Sequence, residues 1–418
     1  MGGVGQRLTG QSSQWKTANW FVSHYNFSKE ARRGLKLPKQ VRVHDITLRD
    51  GEQQAGIVIR KDEKIRVARA LDEAGVDRIE AGMPAVSKED AEAVKAIAND
   101  GLNSKVFAFA RCAKSDVDLA LKADVDGLVM EVPSSDHIIK YAYDWPEEKA
   151  IDLSVEATAY AHEHGLYVTF FTIDSSRATF KACWKLVNAV ATKGHMDSLT
   201  VVDTMGVCSP QGFANLVRTL RKKVRKPLEV HCHNDFGLAV ANTIAGVGEG
   251  AEVIHTTVNA IGERMGNASL EQSVMALRLL YGVKSGIKLE KLVGLSRVIE
   301  EVTGQKVPVN APVVGNNIFK TESGIITGWW AKSESQGMPL EVFPFLPELV
   351  GHDPVKILLG KKSGRDSVFY VGGKLGLSIP ETAVDKILEN IKTTAEANKR
   401  ALTEEEFVQI VEDVKQNQ

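Results

Sequence analysis

Two histidines stand one residue apart, as His231 and His233, in the segment LEVHCHNDFGLAVAN, which covers residues 228–242. The first six residues of this segment, LEVHCH, are predicted to form a β-strand, on which side chains two apart point to the same face. Two imidazoles on one face, joined by a carboxylate from elsewhere, form a site for a divalent metal ion. An HxH pair also occurs in ordinary packing or hydrogen bonding, so a nearby carboxylate decides between these interpretations.

Candidates for that carboxylate are found where other predicted strands end. The run VRVHDITL, residues 41–48, is followed directly by Arg49 and Asp50. Later predicted strands end near Thr204 and Asn267. If the strands are parallel and close into a barrel, their carboxyl ends share one rim, where the chemistry of such barrels takes place. Asp50 is the best candidate, because the first and seventh strands are near neighbours around a closed eight-stranded barrel.

The segments that would position these residues alternate regularly from about residue 40 onward. Eight β-branched runs are predicted as strands: 41–48, 78–83, 105–110, 127–132, 167–173, 199–204, 228–233 and 253–259. Amphipathic helical runs separate them, so the strands need parallel crossover connections. Eight such units in about 245 residues match a (β/α)8 TIM barrel. A doubly wound open sheet is the main alternative, but no glycine-rich dinucleotide loop follows the first strand.

The alternation stops near residue 284, which suggests a division into three regions. We expect an N-terminal extension at 1–39, a catalytic barrel at 40–283, and a linker, lid and small helical C-terminal domain at 284–418. The extension contains Trp15 and Trp20 and is too aromatic for a free tail. Part of it is therefore expected to pack on the barrel or on a partner subunit.

Charge and cysteine content restrict the partners and the compartment. Lys and Arg total 52 and Asp and Glu total 53, a net charge of −1, which gives no electrostatic basis for binding nucleic acid or an anionic membrane. No apolar run is long enough to span a bilayer, and the N-terminus lacks the order of a secretory signal. The four cysteines form no CxxC pair, so reduced thiols in a cytoplasmic protein are expected.

Six motifs, in this order, carry a family resemblance: TLRDGEQ, IEAGMPAVS, DTMGVCSP, HCHNDFGLAVAN, TTVNAIGERMGNASLE and LGKKSGRDSV. Together they resemble the metal-dependent acyl-CoA condensing enzymes. That family contains the 2-isopropylmalate, homocitrate, citramalate and Re-type citrate synthases and is related to hydroxymethylglutaryl-CoA lyase. The resemblance implies condensation of an acyl-CoA with a 2-oxo acid, followed by thioester hydrolysis, on a divalent metal ion (Mg, Mn, Zn or Co).

The resemblance also assigns the metal ligands. His231 and His233 match two ligands of the family, Asp50 matches the third, and Asn267 matches a residue close to the metal. This answers the question that the HxH pair raised, in favour of a metal site.

Substrate contacts are assigned in the same way. Arg49 matches the arginine that steadies the enolate oxygen and the 2-oxo group, which agrees with the ability of a guanidinium beside a divalent ion to stabilise oxyanions. Thr204 matches a threonine that binds the carboxylate of the 2-oxo acid. Gln53 is a further expected contact, with a solvated loop residue as the alternative. Glu80 and Glu263 are interpreted either as carboxylates that support the site residues or as purely structural ones, with the structural role preferred.

Two positions depart from the family pattern. The fifth strand ends in TIDSSR, with Ile173 where the family has a glutamate, and the lid contains TESGII, with Thr321 where the family has a histidine. Those two groups act on the acyl-CoA methyl group, where removing a proton needs a positioned base. Asp174 and Glu322 are the predicted catalytic replacements. They rank ahead of His137, a predicted substrate contact in the loop after the fourth strand.

Three functions stay open at this point. The first is the condensing synthase, and the second is a carbon–carbon lyase acting on a related 2-oxo or 3-hydroxy acid, which would suit the missing glutamate and histidine. The third is a metal-binding protein without catalysis, which the intact rim residues disfavour. The resemblance further implies a homodimer in which the lid of one chain reaches the barrel of the other. Such a dimer would cover Trp329 and Trp330.

Overall fold

The computed structural model describes residues 13–416 of the chain. They divide into two compact units. The barrel unit is Tyr25–Val307, and the C-terminal unit combines Pro308–Gln418 with the N-terminal residues up to His24. The expected borders at 39/40 and 283/284 both fall inside the barrel unit, so the regions expected from the sequence and the compact units divide the chain differently.

The barrel unit contains the eight predicted strands, which are confirmed. They pair in sequence order as a closed parallel barrel with β1 beside β8. Their bounds are β1 Arg42–Asp45, β2 Arg78–Glu80, β3 Lys105–Arg111, β4 Gly127–Pro133, β5 Tyr167–Ile173, β6 Ser198–Asp203, β7 Leu228–Cys232 and β8 Val253–Thr256. The closed order confirms the TIM barrel and excludes the doubly wound sheet.

Helices between the strands cover the outside of the barrel. They are α1 Lys61–Ala74, α2 Lys88–Ala98, α3 Lys114–Lys122, α4 Asp136–Tyr141, α5 Glu147–Glu163, α6 Phe180–Lys193, α7 Pro210–Arg221, α8 Ala239–Gly248, α9 Leu270–Ala276 and α10 Leu292–Thr303. Helix α7 shows how the sequence determines where a helix begins and which face it buries. Ser209 caps its first turn, and Phe213, Val217 and Leu220 form its buried face.

Two layers of side chains fill the barrel interior. One is apolar and contains Phe107, Phe109, Val129, Phe171 and Val202. The other is polar and almost fully buried: Glu229 accepts a hydrogen bond from Arg78 at 2.8 Å and contacts His255 at 2.8 Å, while His44 lies 3.2 Å from Glu80. The charges of Arg78 and Glu229 are paired, as buried charges must be, while burial lowers the pKa of His44 to about 4 and keeps its imidazole neutral.

The C-terminal unit is built from a two-stranded parallel pair and four helices. These elements are β9 Lys320–Thr321, β10 Lys356–Ile357, α11 Gly324–Ser335, α12 Arg365–Lys374, α13 Val384–Asn398 and α14 Glu404–Gln416. Its core brings Val368, Ile387 and Phe407 together from three helices. This agrees with the predicted helical character of the C-terminal region.

Residues 13–24 pack within the C-terminal unit. The backbone N–H of Phe21 donates to Pro344 at 2.9 Å, and the Trp15 ring centroid lies 5.7 Å from that of Phe21. Part of the aromatic extension was expected to pack on the barrel or on a partner subunit. Residues 25–39 do pack on the barrel: Arg32 donates to the backbone oxygen of Tyr281 at 3.0 Å, and the N–H of Lys36 donates to the backbone oxygen of Gly248 at 2.6 Å.

The structure can be compared with two expectations from the sequence, one on the cysteines and one on membrane-spanning helices. Cys112, Cys183, Cys208 and Cys232 are free thiols, and three of them are buried. Between residues 13 and 416, no helix has the length and hydropathy needed to cross a membrane.

Candidate active site

The turn after β1 carries the first site residues. The chain leaves β1 at Asp45 and forms one π-helical turn that begins at Thr47. The Asp45 carboxylate accepts hydrogen bonds from the backbone N–H of Thr47 at 3.0 Å and from its hydroxyl at 3.1 Å. The same hydroxyl accepts from the N–H of Val258, just beyond β8, at 2.9 Å. This brace fixes the turn that presents Arg49 and Asp50 at the carboxyl end of the barrel.

The brace has a consequence for the pH dependence of stability. Burial raises the pKa of Asp45 from 3.8 to about 7, although the hydrogen bonds from Thr47 oppose the rise. Between these values the folded chain holds a proton that the unfolded chain has released, so stability falls as pH rises. The free energy of unfolding of the wild type is expected to fall by about 1.4 kcal/mol per pH unit in this range. Asp45→Asn should remove this pH dependence. Denaturant unfolding of both forms at several pH values from about 4 to about 7 measures it. A constant difference between the two forms would contradict the assignment.

Asp50, His231 and His233 lie together at this end of the barrel. The Oδ2 atom of Asp50 is 3.7 Å from Nε2 of His231 and 3.8 Å from Nε2 of His233, and all three side chains are buried. These separations are too long for hydrogen bonds. They suit donors that each lie about 2.0–2.2 Å from one shared ion. The structure therefore brings the three predicted ligands to one point.

The charges of this cluster also suit a cation. Burial by itself would raise the pKa of Asp50, but Arg49, His233 and His231 lower it well below its usual range. Burial is the main cause that lowers the pKa of both histidines. An ionised carboxylate with two neutral imidazoles is the protonation state in which these groups bind a metal.

Asn267 lies beside the cluster. Its amide nitrogen donates to Oδ1 of Asp50 at 2.9 Å, while its carbonyl oxygen has no hydrogen-bond partner within the described part of the chain. The loop approaches so closely that a Cβ on Gly262, whose φ is +152°, would lie 2.2 Å from the Asn267 amide nitrogen. Glycine is therefore required there. An unpaired buried carbonyl oxygen fits the predicted position next to a metal ion.

Arg49 is held from several sides. Its guanidinium donates to Asp50 at 2.8 Å and to Gln53 at 3.2 Å, bonds Glu80 through Nε, and lies 3.9 Å above the ring of Phe109. The Nη2 atom is buried and has no partner among residues 13–416. Arg49 is thus fixed in position and keeps one donor available for a bound oxyanion.

These residues line a cavity of about 270 Å³ at the carboxyl ends of the strands. The predicted residues on its wall are Arg49, Asp50, Gln53, Thr204, His231 and His233. The Thr204 hydroxyl accepts from the backbone N–H of Asp174 at 2.8 Å, which leaves its own proton for a ligand. The rest of the wall is mostly apolar, with aromatic rings from Phe109 and Phe171.

The predicted base Asp174 has its carboxylate occupied. It accepts from Arg177 at 2.7 Å and from the Ser135 hydroxyl at 2.7 Å, and His137 Nε2 lies 3.4 Å away. Asp174 is fully buried with φ +60°, and neither it nor His137 lines the 270 Å³ cavity. Asp174 and His137 therefore lie next to each other, but neither is part of the cavity wall.

Glu322 belongs to the C-terminal unit. It follows Thr321 at the end of β9, and its carboxylate accepts from the backbone N–H of Lys362 at 3.1 Å. Within this unit Glu322 therefore fixes the turn before α12.

Among the charged residues of the cavity wall, sequence reasoning missed Glu131. It stands on β4 two residues after Val129, which belongs to the apolar interior, so both side chains face inward. The signal was present: Glu131 is the only charged residue in the strand GLVMEVP.

A closed parallel barrel with a buried arginine and a two-histidine, one-carboxylate cluster at its carboxyl end defines a class of TIM-barrel enzyme whose active site lies at that end. The chain belongs to the HMGL-like family, which matches residues 40–299. This confirms the predicted family.

Curated relatives match over nearly the whole chain. The homocitrate synthase AksA of Methanothermobacter thermautotrophicus is 40% identical over 95% of this chain and 98% of its own length. A probable 2-isopropylmalate synthase of Methanopyrus kandleri is 42% identical over 87% of this chain and 71% of its own. The (R)-citramalate synthase CimA of Methanocaldococcus jannaschii is 39% identical over 90% and 74%. All three are named synthases, which supports the predicted synthase over the lyase alternative.

Solved structures with this barrel include lyases. The HMG-CoA lyase of Bacillus subtilis matches with a TM-score of 0.60 and 20% identity, over 65% of this chain and 96% of that one. At this identity the likeness supports the fold alone.

Proposed function

We propose that this chain is an acyltransferase that condenses an acyl-CoA with a 2-oxo acid to give a 2-hydroxy-2-alkyl dicarboxylic or tricarboxylic acid and CoA. The observation that carries the proposal is the Asp50, His231 and His233 cluster beside a buried arginine at the barrel's carboxyl end. The named synthases among its relatives support the direction of the reaction.

The donor set suits a divalent ion such as Mg, Mn, Zn or Co, because it combines a carboxylate, two imidazoles and a nearby amide oxygen. Asp50, His231 and His233 would hold the ion, and Asn267 would lie beside it. Bound there, a divalent ion supplies Lewis-acid polarisation of the 2-oxo group.

The cavity residues would bind and orient the 2-oxo acid. The free Nη2 donor of Arg49 would stabilise the oxyanion that develops on the keto oxygen. The Thr204 hydroxyl would donate to the substrate carboxylate. The acyl-CoA loses a proton from its α-carbon, that carbon attacks the keto carbon, and the keto oxygen gains a proton. Water then cleaves the thioester and releases CoA.

The group that removes the α-proton is still a prediction, for which Asp174 and Glu322 rank ahead of His137. The partners of Asp174 disfavour it, because a carboxylate that accepts from Arg177 and Ser135 has both oxygens occupied. The same contacts suit a positioning role, since Asp174 also donates its backbone N–H to Thr204.

A homodimer is part of the proposal. Trp329 is 59% exposed on α11, whereas its neighbour Trp330 is buried within the C-terminal unit. An exposed tryptophan beside the exposed Ile325 is an apolar surface that a second subunit would cover. Light scattering at micromolar concentration should give the mass of two chains. A monomer would contradict this prediction.

The experiment that tests the function measures release of the CoA thiol. The purified chain, loaded with Mg or Mn, is mixed with acetyl-CoA and a panel of 2-oxo acids, and then with 3-hydroxy-3-methylglutaryl-CoA alone. We expect thiol release that depends on a 2-oxo acid and stops when the ion is chelated. Cleavage of the hydroxy acyl-CoA without thiol release from acetyl-CoA would favour the lyase alternative instead.

A further inference from the structure

The structure points to a substrate class: we propose that the 2-oxo acid carries no second carboxylate on its side chain, and that Glu131 enforces this selection. The inference rests on the proposed function of the same site. Its basis is the placement of Glu131 on the wall of the 270 Å³ cavity and also on the wall of a neighbouring cavity of about 420 Å³.

Glu131 faces the space that a substrate side chain would enter. It is half-buried near the end of β4, where it pairs in register with Phe171 of β5, whose ring also lines the metal-site cavity. Its carboxylate makes no hydrogen bond and no ion pair with any residue between 13 and 416. A carboxylate at this position is available to interact with a ligand.

Among the described residues that line the two cavities, no uncommitted cationic side chain balances Glu131. Of the described residues that line the two cavities, only Arg49 and Arg111 are permanently cationic. Arg49 is engaged by Asp50 and Glu80. Arg111 is held by Asp116 through two contacts of 2.8 Å. A second carboxylate on the substrate side chain would therefore meet the carboxylate of Glu131, while the free Nη2 donor of Arg49 is assigned to the keto oxygen.

The environment of Glu131 makes a second negative charge more costly. Burial raises the pKa of Glu131, and Asp116 adds to the rise, while Arg49 and Arg111 oppose it. Burial raises the pKa of the Tyr143 phenol, and the charge of Glu131 adds to the rise. The pocket already stabilises one negative charge poorly, and like charges in a poorly solvated site repel each other strongly.

The second cavity indicates what the side chain could be. Its wall contains Val132, Pro133, Leu153 and the rings of Tyr143 and Trp145, whose centroids are 4.7 Å apart. Such a wall suits an apolar or aromatic side chain that extends past Glu131. The substrate class is thus a 2-oxo monocarboxylic acid with an uncharged side chain.

The test compares two ligands that differ only at the side-chain end. Titration calorimetry of the metal-loaded chain measures binding of 2-oxopentanoate and of 2-oxoglutarate, which have the same number of carbons. Phenylpyruvate probes the second cavity. We expect the wild type to bind 2-oxopentanoate at least about tenfold more tightly than 2-oxoglutarate, and to bind phenylpyruvate.

Variants identify the residue responsible. Glu131→Gln keeps the shape of the side chain and should bring the ratio of the dissociation constants of 2-oxoglutarate and 2-oxopentanoate close to one. Glu131→Arg should reverse the preference, so that 2-oxoglutarate binds more tightly. Glu163→Gln, an exposed carboxylate at the end of α5, is the matched control and should leave the preference unchanged.

Failure of the inference differs from failure of the proposed function. Tighter binding of 2-oxoglutarate by the wild type, or a preference that Glu131→Gln and Glu131→Arg both leave unchanged, overturns the inference alone. Absence of binding by any 2-oxo acid to the metal-loaded chain overturns the proposed function and the inference with it.

Discussion

Replacing His231 and His233 together with alanine is expected to abolish binding of one divalent ion per chain. Both imidazoles are buried and neutral and direct Nε2 toward the Asp50 carboxylate. Losing an outer partner of a ligand alone costs about 10- to 100-fold in metal affinity. Loss of two ligands should therefore lower the metal affinity further, because Asp50 alone offers too few donor atoms to hold the ion.

Metal analysis after dialysis, together with titration of Mn or Co, measures this loss. The matched control replaces His162 and His195, whose rings stack at 3.5 Å and which could bind an ion weakly at the surface. That control should keep the full ion content. Retention of the ion by the His231 and His233 variant would contradict the site. The buried group of His44, Glu229 and His255 would then be the alternative candidate for the metal site.

The sequence predicted the barrel because strand and helix patterns are local. It placed three strand ends wrongly: β1, β2 and β8 each stop three residues before the predicted end. After β1 a π-helical turn begins, Gly82 follows β2 with φ +143°, and Asn259 follows β8 with φ +59°. The residues 46–48, 81–83 and 257–259 were predicted to continue their strands, but the backbone leaves the strand conformation within each of them, which no local pattern reveals.

The site was predictable to the extent that its residues follow strands. Asp50, His231 and His233 meet because the ends of parallel strands share a rim. The partners of Asp174 could not be foreseen, because Ser135 comes from another loop of the barrel. Of the two roles that the sequence left open for Glu80, the structure favours support of the site over the preferred purely structural role, because its buried carboxylate binds Arg49 and so positions a site residue.

Arg49→Lys is the second large effect, with an expected fall of about 10²- to 10³-fold in kcat/KM. Lysine keeps the charge but lacks the planar fork that reaches Asp50, Glu80 and a bound oxyanion at the same time. Arg49→Ala would also take from the buried Glu80 carboxylate its permanently charged partner and leave only His44 beside it, and breaking a buried ion pair costs about 3–5 kcal/mol of stability. The lysine variant is therefore the cleaner test.

Initial rates of thiol release measure the effect, and metal content and thermal unfolding show whether the site and fold survive. Arg78→Lys is the matched control, because Arg78 forms the same kind of buried pair, with Glu229, but does not line the cavity. It should lose stability while kcat/KM stays within about fivefold, since a residue away from developing charge contributes little to the transition state. If Arg49→Lys and Arg78→Lys lowered kcat/KM equally, the loss would come from disturbing a buried charge pair. The prediction that Arg49 stabilises the oxyanion would then be wrong.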